Sequence, residues 1–309
     1  MPQNCAVVAL AVSPDDEATQ AVVDLLQRAG VTVDSPTWVR VTGTASDDRA
    51  ADVEGYNALT IPVETEDLAA LRRALQPDPR RQSVPGVDLN VVEARWTEQS
   101  RRKLVVLDVD STLIRQEVIE LLAAHAGREA EVAEITERAM RGEIDFEQSL
   151  RERVAVLAGL SAEVIDDVAG AVRLSPGAQA LVRTLLREGH AVAAVSGGFR
   201  QVLAPLAASL ELTRWAANGL EVEDGQLTGR VGGPVVDRAA KAEIVAQWAR
   251  ELEIAPEDVL VVGDGANDVD MARAAGLSVA YRAKPALQDV ADAQINIPNL
   301  DALRFFLDL

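Results

Sequence analysis

The sequence predicts an α/β chain in two parts: a Rossmann-like, doubly wound parallel sheet interrupted by a block of helices, and ahead of it a smaller α+β domain. Three observations predict this. Residues 104–107, 190–195 and 259–262 are largely apolar runs that stop abruptly at polar signatures, as strands buried on both faces of a parallel sheet do. Residues 117–172, between the first two runs, read as helix throughout, too long for an ordinary βα connection. Before residue 97 the order reads β-α-β-β-α-β, the ferredoxin-like split βαβ pattern.

The first part can be justified element by element. Residues 5–12 read as a strand, and Ser13-Pro14-Asp15-Asp16 starts a helix with acids in its first turn. Val22, Val23, Leu25 and Leu26 continue at helical spacing up to Gly30. A β-rich stretch over 31–42 is interrupted by Pro36; a strand follows at 56–63, a helix at 66–75 with Leu68, Leu71 and Leu75 on one face, and a last strand at 87–94. Residues 76–86 are breaker-rich and read as a loop. The polar stretch 97–102 marks the boundary between a domain of 1–96 and one of 97–309.

In the second part the helices of 117–172 form a cap beside the first apolar strand. Gly127 and Gly142 punctuate them. The sheet resumes at 190–195. A short strand is expected at 215–218, a hairpin turning at Asp224-Gly225, a helix over 237–252, a buried strand at 259–262, and short strands near Leu277 and Ile295.

Composition narrows the function. The 309 residues fill one large domain or two ordinary ones. There is no apolar run of about 18 residues, hence no expected membrane span. The start, Met-Pro-Gln-Asn-Cys, lacks the basic character of a signal peptide. Cys5 is the single cysteine, which excludes an internal disulfide. A cytoplasmic location is expected. A formal net charge of −19 argues against nucleic acid and anionic membranes as partners and leaves a small molecule. An anionic substrate would need a local cationic site. Of 30 Lys plus Arg only Lys103, Lys241 and Lys284 are lysines, so each is a candidate for a place that needs a compact charge. None sits in a GxxxxGK[ST] loop, which excludes a P-loop nucleotide site.

The chemistry concentrates where the apolar runs end. Leu104-Val-Val-Leu107 stops at Asp108 and Asp110, followed by Ser111-Thr112; 190–195 stops at Ser196-Gly197-Gly198; 259–262 stops at Gly263-Asp264-Gly265-Ala266-Asn267-Asp268. In one parallel sheet these ends share an edge, where ligands bind. Two carboxylates as close as Asp108 and Asp110 repel unless a cation or a shared proton relieves them. The blander reading of that pair is an Asx-turn that caps a helix. An EF-hand reading of 264–268 fails, because Ala266 and Val269 stand at its third and sixth positions. His125 and His190 fall in no motif.

In order, Asp108-Val-Asp110-Ser-Thr, Ser196, Lys241 and Gly263-Asp264-Gly-Ala-Asn267-Asp268 resemble the four motifs of the haloacid dehalogenase superfamily, over about residues 103–298. Glu117, the stretch Met140-Arg-Gly-Glu-Ile-Asp-Phe146-Glu-Gln-Ser-Leu-Arg-Glu-Arg153 and Val195-Ser-Gly-Gly-Phe199 resemble its phosphoserine phosphatase family. The resemblance implies Asp108 as the nucleophile that forms an aspartyl-phosphate and Asp110 as the general acid and then base. It implies Mg²⁺ on the Asp108 carboxylate, the Asp110 backbone carbonyl and Asp264, with waters steadied by Asn267 and Asp268. Ser196, the Gly197 backbone and Lys241 would hold phosphoryl oxygens. Glu117 and Arg153 would read the amino and carboxylate groups of a serine, and Met140 and Phe146 would line a lid. The readings left open are another small phosphorylated metabolite, phosphoryl transfer to an acceptor hydroxyl, and a catalytically silent amino-acid sensor. The N-terminal element order resembles ACT-type ligand-sensing domains. Ser13-Pro14-Asp15-Asp16-Glu17 stands where those often carry glycine, so docking or homodimerisation is weighed beside effector binding.

Overall fold

The computed structural model describes residues 3–33, 36–42 and 55–309, the Met140 side chain excepted. Strand β1 (Gln3–Ala11) is buried from Cys5 onward because both of its faces are covered. It pairs antiparallel with β3 (Tyr56–Thr65) on one side and β4 (Val87–Glu93) on the other, and β2 (Val39–Val41) adds to β3, giving the order β2-β3-β1-β4. Helices α1 (Asp16–Arg28) and α2 (Leu68–Leu75) pack Val22, Leu26, Leu71 and Leu75 against Val7, Ala9 and Val91. Asp15 and Asp67 cap them by accepting from the amides of Ala18 and Ala70. This is the expected ferredoxin-like order. The β-rich stretch of 31–42 shrinks to Val39–Val41 among the described residues.

The other face of β1 and β3 is not free. Val8, Leu10, Tyr56, Ala58 and Trp96 join one apolar cluster with Leu303 and Phe306 of the larger part.

Strand β5 (Leu104–Leu107) lies inside a seven-stranded sheet ordered β11-β10-β9-β5-β6-β7-β8. Its chain leaves into the cap helices α3 (Val118–Ala126), α4 (Glu129–Met140), α5 (Phe146–Ala155) and α6 (Val164–Ala171). It returns through α7 (Ala178–Arg187) to β6 (Ala191–Phe199), α8 (Arg200–Ser209) and the hairpin β7 (Arg214–Glu223) and β8 (Gln226–Gly232). Then follow α9 (Arg238–Glu251), β9 (Val259–Gly263), α10 (Val269–Ala274), β10 (Leu277–Tyr281), α11 (Pro285–Gln288) and β11 (Ala293–Ile295). Leu107 lies beside Ala194 of β6 and Val262 of β9, all parallel, so the three signature-bearing ends are level.

Two features differ from the sequence expectation. The strand expected at 215–218 is longer, Arg214 to Glu223, because it continues into the expected hairpin, which turns at Asp224 and Gly225, both at positive φ (50° and 75°). That hairpin packs on the cap: Gly159 N–H donates to the Leu227 carbonyl at 2.8 Å, and Leu227 N–H returns a bond to Leu160. Helices α7 and α8 were not anticipated. α7 buries Ala178, Leu181, Val182 and Leu185, a clear helical stripe that the breakers Pro176-Gly177 obscure. No helix among the described residues is long and apolar enough to cross a membrane.

Candidate active site

The turn after β5 creates the site. Asp108 N–H still pairs with the sheet through the Val262 carbonyl (2.8 Å), and then the chain leaves it in a wide turn closed by Leu113 N–H to the Asp108 carbonyl and Ile114 N–H to that of Val109. Ser111 takes a left-handed φ of 58° within this turn, uncommon for a residue with a Cβ. Its hydroxyl donates to Glu117 Oε1 at 2.8 Å, so the strained residue is tied to the start of α3.

Asp108 is 2% exposed and faces Lys241, which is 1% exposed. Asp237 caps α9 and sets Lys241 one turn into that helix. From there Nζ reaches Asp108 Oδ1 at 2.6 Å and Asp268 Oδ1 at 2.8 Å. Burial alone would lower the Lys241 pKa; the two carboxylates outweigh it and hold the ammonium above its ordinary value. Burial and the Asp268 charge push Asp108 up, with Lys241 opposing them. Asp268 is itself fixed, since its Oδ2 accepts from the amides of Asp264 and Gly265, both at 3.1 Å. A Cβ at Gly263 would collide with that carboxylate, which explains the glycine.

Asp110 sits in a different environment. Its Oδ1 accepts the Val118 amide at the start of α3 (3.0 Å) and its Oδ2 the Ser196 hydroxyl (3.2 Å). Burial, with the Glu117 charge adding to it, pushes its carboxyl up to about 7. Ser196 accepts in turn from the Gly198 amide at 2.7 Å, and a Cβ on Gly198 would lie 2.5 Å from Asp110 Oδ2. Sequence reasoning missed Asn218. It is fully buried; its amide donates to the Gly197 carbonyl at 2.8 Å and its Oδ1 accepts from Val236 N–H at 2.7 Å, bracing the Ser196–Gly198 turn.

The cap supplies the far wall. Phe146, first residue of α5 behind the Asp145 cap, brings its ring to 3.0 Å from where a Gly197 Cβ would stand. Arg153, on the last turn of α5, is partly buried and donates to the Ser149 carbonyl. Burial lowers the pKa of its guanidinium, and the charges of Glu117, Asp110 and Glu120 oppose that. Met140 ends α4, and its side chain lies outside what the structure describes. Asn267 stands in the short turn Ala266–Asp268, its Oδ1 close over Gly265.

The donor set fits a hard cation. Carboxylate oxygens of Asp108, Asp264 and Asp268, all buried, lie within 4.8 Å of one another. One buried ammonium opposes three carboxylates, and Lys284 approaches Asp264 only from the exposed side, at 3.5 Å. Burial raises the Asp264 carboxyl to about 6, with Lys284 pulling it down and Asp268 adding to the rise. A divalent cation would relieve that excess, and all-oxygen donors suit a hard one. Asp268, which the sequence resemblance assigns to steadying metal-bound waters with Asn267, lies in this cluster beside Asp108 and Asp264.

Residues 105–273 match the family described as haloacid dehalogenase-like hydrolase. A phosphoserine phosphatase of Streptomyces coelicolor is 48% identical over 273 residues, covering 87% of this chain and 66% of its own. One of Mycobacterium tuberculosis is 55% identical over 206 residues, covering 67% of this chain and 50% of its own. The chain thus spans about half to two thirds of the length of these two curated relatives. A solved substrate-bound phosphoserine phosphatase complex superimposes with a TM-score of 0.63 at 41% identity, over 68% of this chain and 98% of that one. Since the family match takes in more than half of the chain and every strand end that meets at the acidic site, the chain belongs to the haloacid dehalogenase-like hydrolases.

Proposed function

We propose that this chain is a phosphoserine phosphatase: it hydrolyses O-phospho-L-serine to L-serine and phosphate, the last step of serine synthesis. What carries the reading is a carboxylate and a guanidinium whose charges act on each other beside the acidic site: Glu117, tied by Ser111 to the start of α3, and the partly buried Arg153 of α5. A carboxylate and a guanidinium at that place match the ammonium and carboxylate of an amino acid, which a sugar phosphate lacks. The curated relatives bear the same activity in their names.

In the mechanism, Asp108 attacks phosphorus while the bond to the serine oxygen breaks, leaving an aspartyl-phosphate. Lys241 holds Asp108 in place from one side and offers its charge to a phosphoryl oxygen; Ser196 and the Gly197 amide offer donors to the others. Asp110, poised near neutrality, gives its proton to the departing alkoxide. It then takes a proton from the water that attacks phosphorus, which frees Asp108 and releases phosphate. Phe146 and the cap exclude bulk water from that step. Asp108, Asp264 and the Asp110 carbonyl would hold Mg²⁺, which when bound would neutralise phosphoryl charge. Asp268 suits a supporting role beside Asn267, because Lys241 and two amides already occupy its oxygens.

We place the enzyme in the cytoplasm, as a domain of 1–96 joined to a phosphatase domain of 97–309 with its cap at about 117–172. Homodimerisation through the N-terminal part is supported by the edge position of β2, where Val39 is 54% exposed. The test of substrate is phosphate release from a panel of phosphoserine, phosphothreonine, sugar phosphates and aryl phosphates, each with Mg²⁺ and with chelator. Phosphoserine should lead by a wide margin and only with the metal. Equal or faster turnover of an ester without amino and carboxylate groups would remove the phosphoserine reading.

A further inference from the structure

A second cleft, of about 780 Å³, shares no lining residue with the active site. It lies where the cap leaves and rejoins the core. Ile114 bridges Leu174, Ser175 N–H donates to the Leu113 carbonyl at 2.9 Å, and Arg115 N–H to that of Arg173 at 3.0 Å. These two hinge strands line the cleft together with α7, α8, the end of β2 and residues of the C-terminal turn.

The charge there runs opposite to the rest of the molecule. In a chain of net charge −19, Arg115, Arg173, Arg183, Arg187 and Arg304 line the cleft against one carboxylate, Asp301, among the described residues. Asp301 is already engaged by Arg304 and by the Tyr56 hydroxyl, both at 3.2 Å. Arg115 donates to the Leu174 carbonyl, and Arg173 to the carbonyls of Gly170 and Val172, all uncharged acceptors, while Arg187 pairs with Glu188 at 3.3 Å. The same lining includes the apolar side chains of Val172, Leu174, Pro205, Leu206 and Leu210. A volume of this size suits a small molecule, and convergent guanidinium groups select carboxylate or phosphate oxygens.

We propose that this cleft binds a small polyanion, and that its occupancy stiffens the hinge of the cap. Arg115 and Arg173 lie on the two hinge strands themselves, so an anion held by both ties the strands together. The proposal goes beyond the phosphoserine reading and does not depend on it.

The test is calorimetric titration of the full, metal-free chain with citrate and with tripolyphosphate at constant ionic strength; whichever binds tighter distinguishes a carboxylate from a phosphate source. One saturable site per chain is expected, with slower hydrogen exchange over residues 113–116 and 172–175 when it is filled. Arg115→Gln with Arg173→Gln should weaken binding by about tenfold or more. If that pair does not fold, Arg183→Gln with Arg187→Gln on α7 should weaken it as well. Absence of saturable binding, or binding undiminished in the variants, overturns the site; binding with unchanged hinge exchange overturns the coupling.

Discussion

Asp108 and Asp110 are two residues apart, and the fold gives them opposite company: a buried ammonium for the first, a backbone amide and a hydroxyl for the second. That division predicts how each fails. Asp110→Asn keeps the backbone carbonyl and removes the proton. Hydrolysis of phosphoserine, whose alkoxide is a poor leaving group, should fall by about 10²–10⁴. A nitrophenolate leaves unprotonated, so rapid mixing with the aryl ester should show a burst of about one per active site and then a slow rate, as in acyl- and phosphoryl-enzyme kinetics. Equal losses on both substrates without a burst, with metal binding intact, would refute the role of Asp110. Lys241→Arg should also fail, since a guanidinium is larger and planar while Nζ fits between two carboxylates at 2.6 and 2.8 Å. Activity should drop by about 10²-fold or more, as for other displaced electrostatic groups. Near-wild-type rates would make Lys241 a structural charge.

At the scale of elements, the proposed function assigns discrimination to the cap and chemistry to the sheet. Arg153 on α5 should pair with the substrate carboxylate, so Arg153→Ala should cost phosphoserine turnover about 2–5 kcal/mol and spare a small aryl phosphate. Equal damage to both would place Arg153 in the fold. The sheet's part of the site was legible because a strand buried on both faces must be wholly apolar, which makes its polar ending conspicuous: Leu107 to Asp108, Val195 to Ser196, Val262 to Asp264. The bracing was not legible. Asn218 is a lone amide in a mixed strand, and its bond to the Gly197 carbonyl spans 21 residues, with no local signal in the sequence. Ser111 showed no sign of its left-handed backbone, because serine there reads as ordinary turn chemistry. α8 was hidden by its internal Pro205, whereas the hairpin of β7 and β8 was legible from its turn at Asp224-Gly225.

The whole molecule is joined more tightly than a polar boundary at 97–102 suggests. Asp88 is buried, and its carboxylate accepts from Gln82, from the Asn296 amide and side chain, and from the Ile297 amide. Burial raises its pKa despite those four bonds. Asn90 exchanges two hydrogen bonds with the backbone of Gln294, as a strand neighbour would, so its side chain stitches β4 to β11. Tyr56 reaches Asp301, and Arg72 pairs with Asp292 at 3.1 Å. None of these partners belongs to the active site, whose residues all lie beyond residue 97. A fragment of 97–309 should therefore keep its chemistry and lose stability. It exposes the apolar surface around Leu303 and Phe306 and strips the seam of its hydrogen bonds. Each kcal/mol lost should lower Tm by about 2–4 °C in a domain of that length. The measurement is a thermal melt beside the initial rate on phosphoserine per folded molecule, taken well below the lowered Tm. A fragment that melts earlier with kcat unchanged fits two units sharing a core but not a site. Complete loss of turnover in a fragment still folded by circular dichroism would mean that the N-terminal part helps to complete the active site.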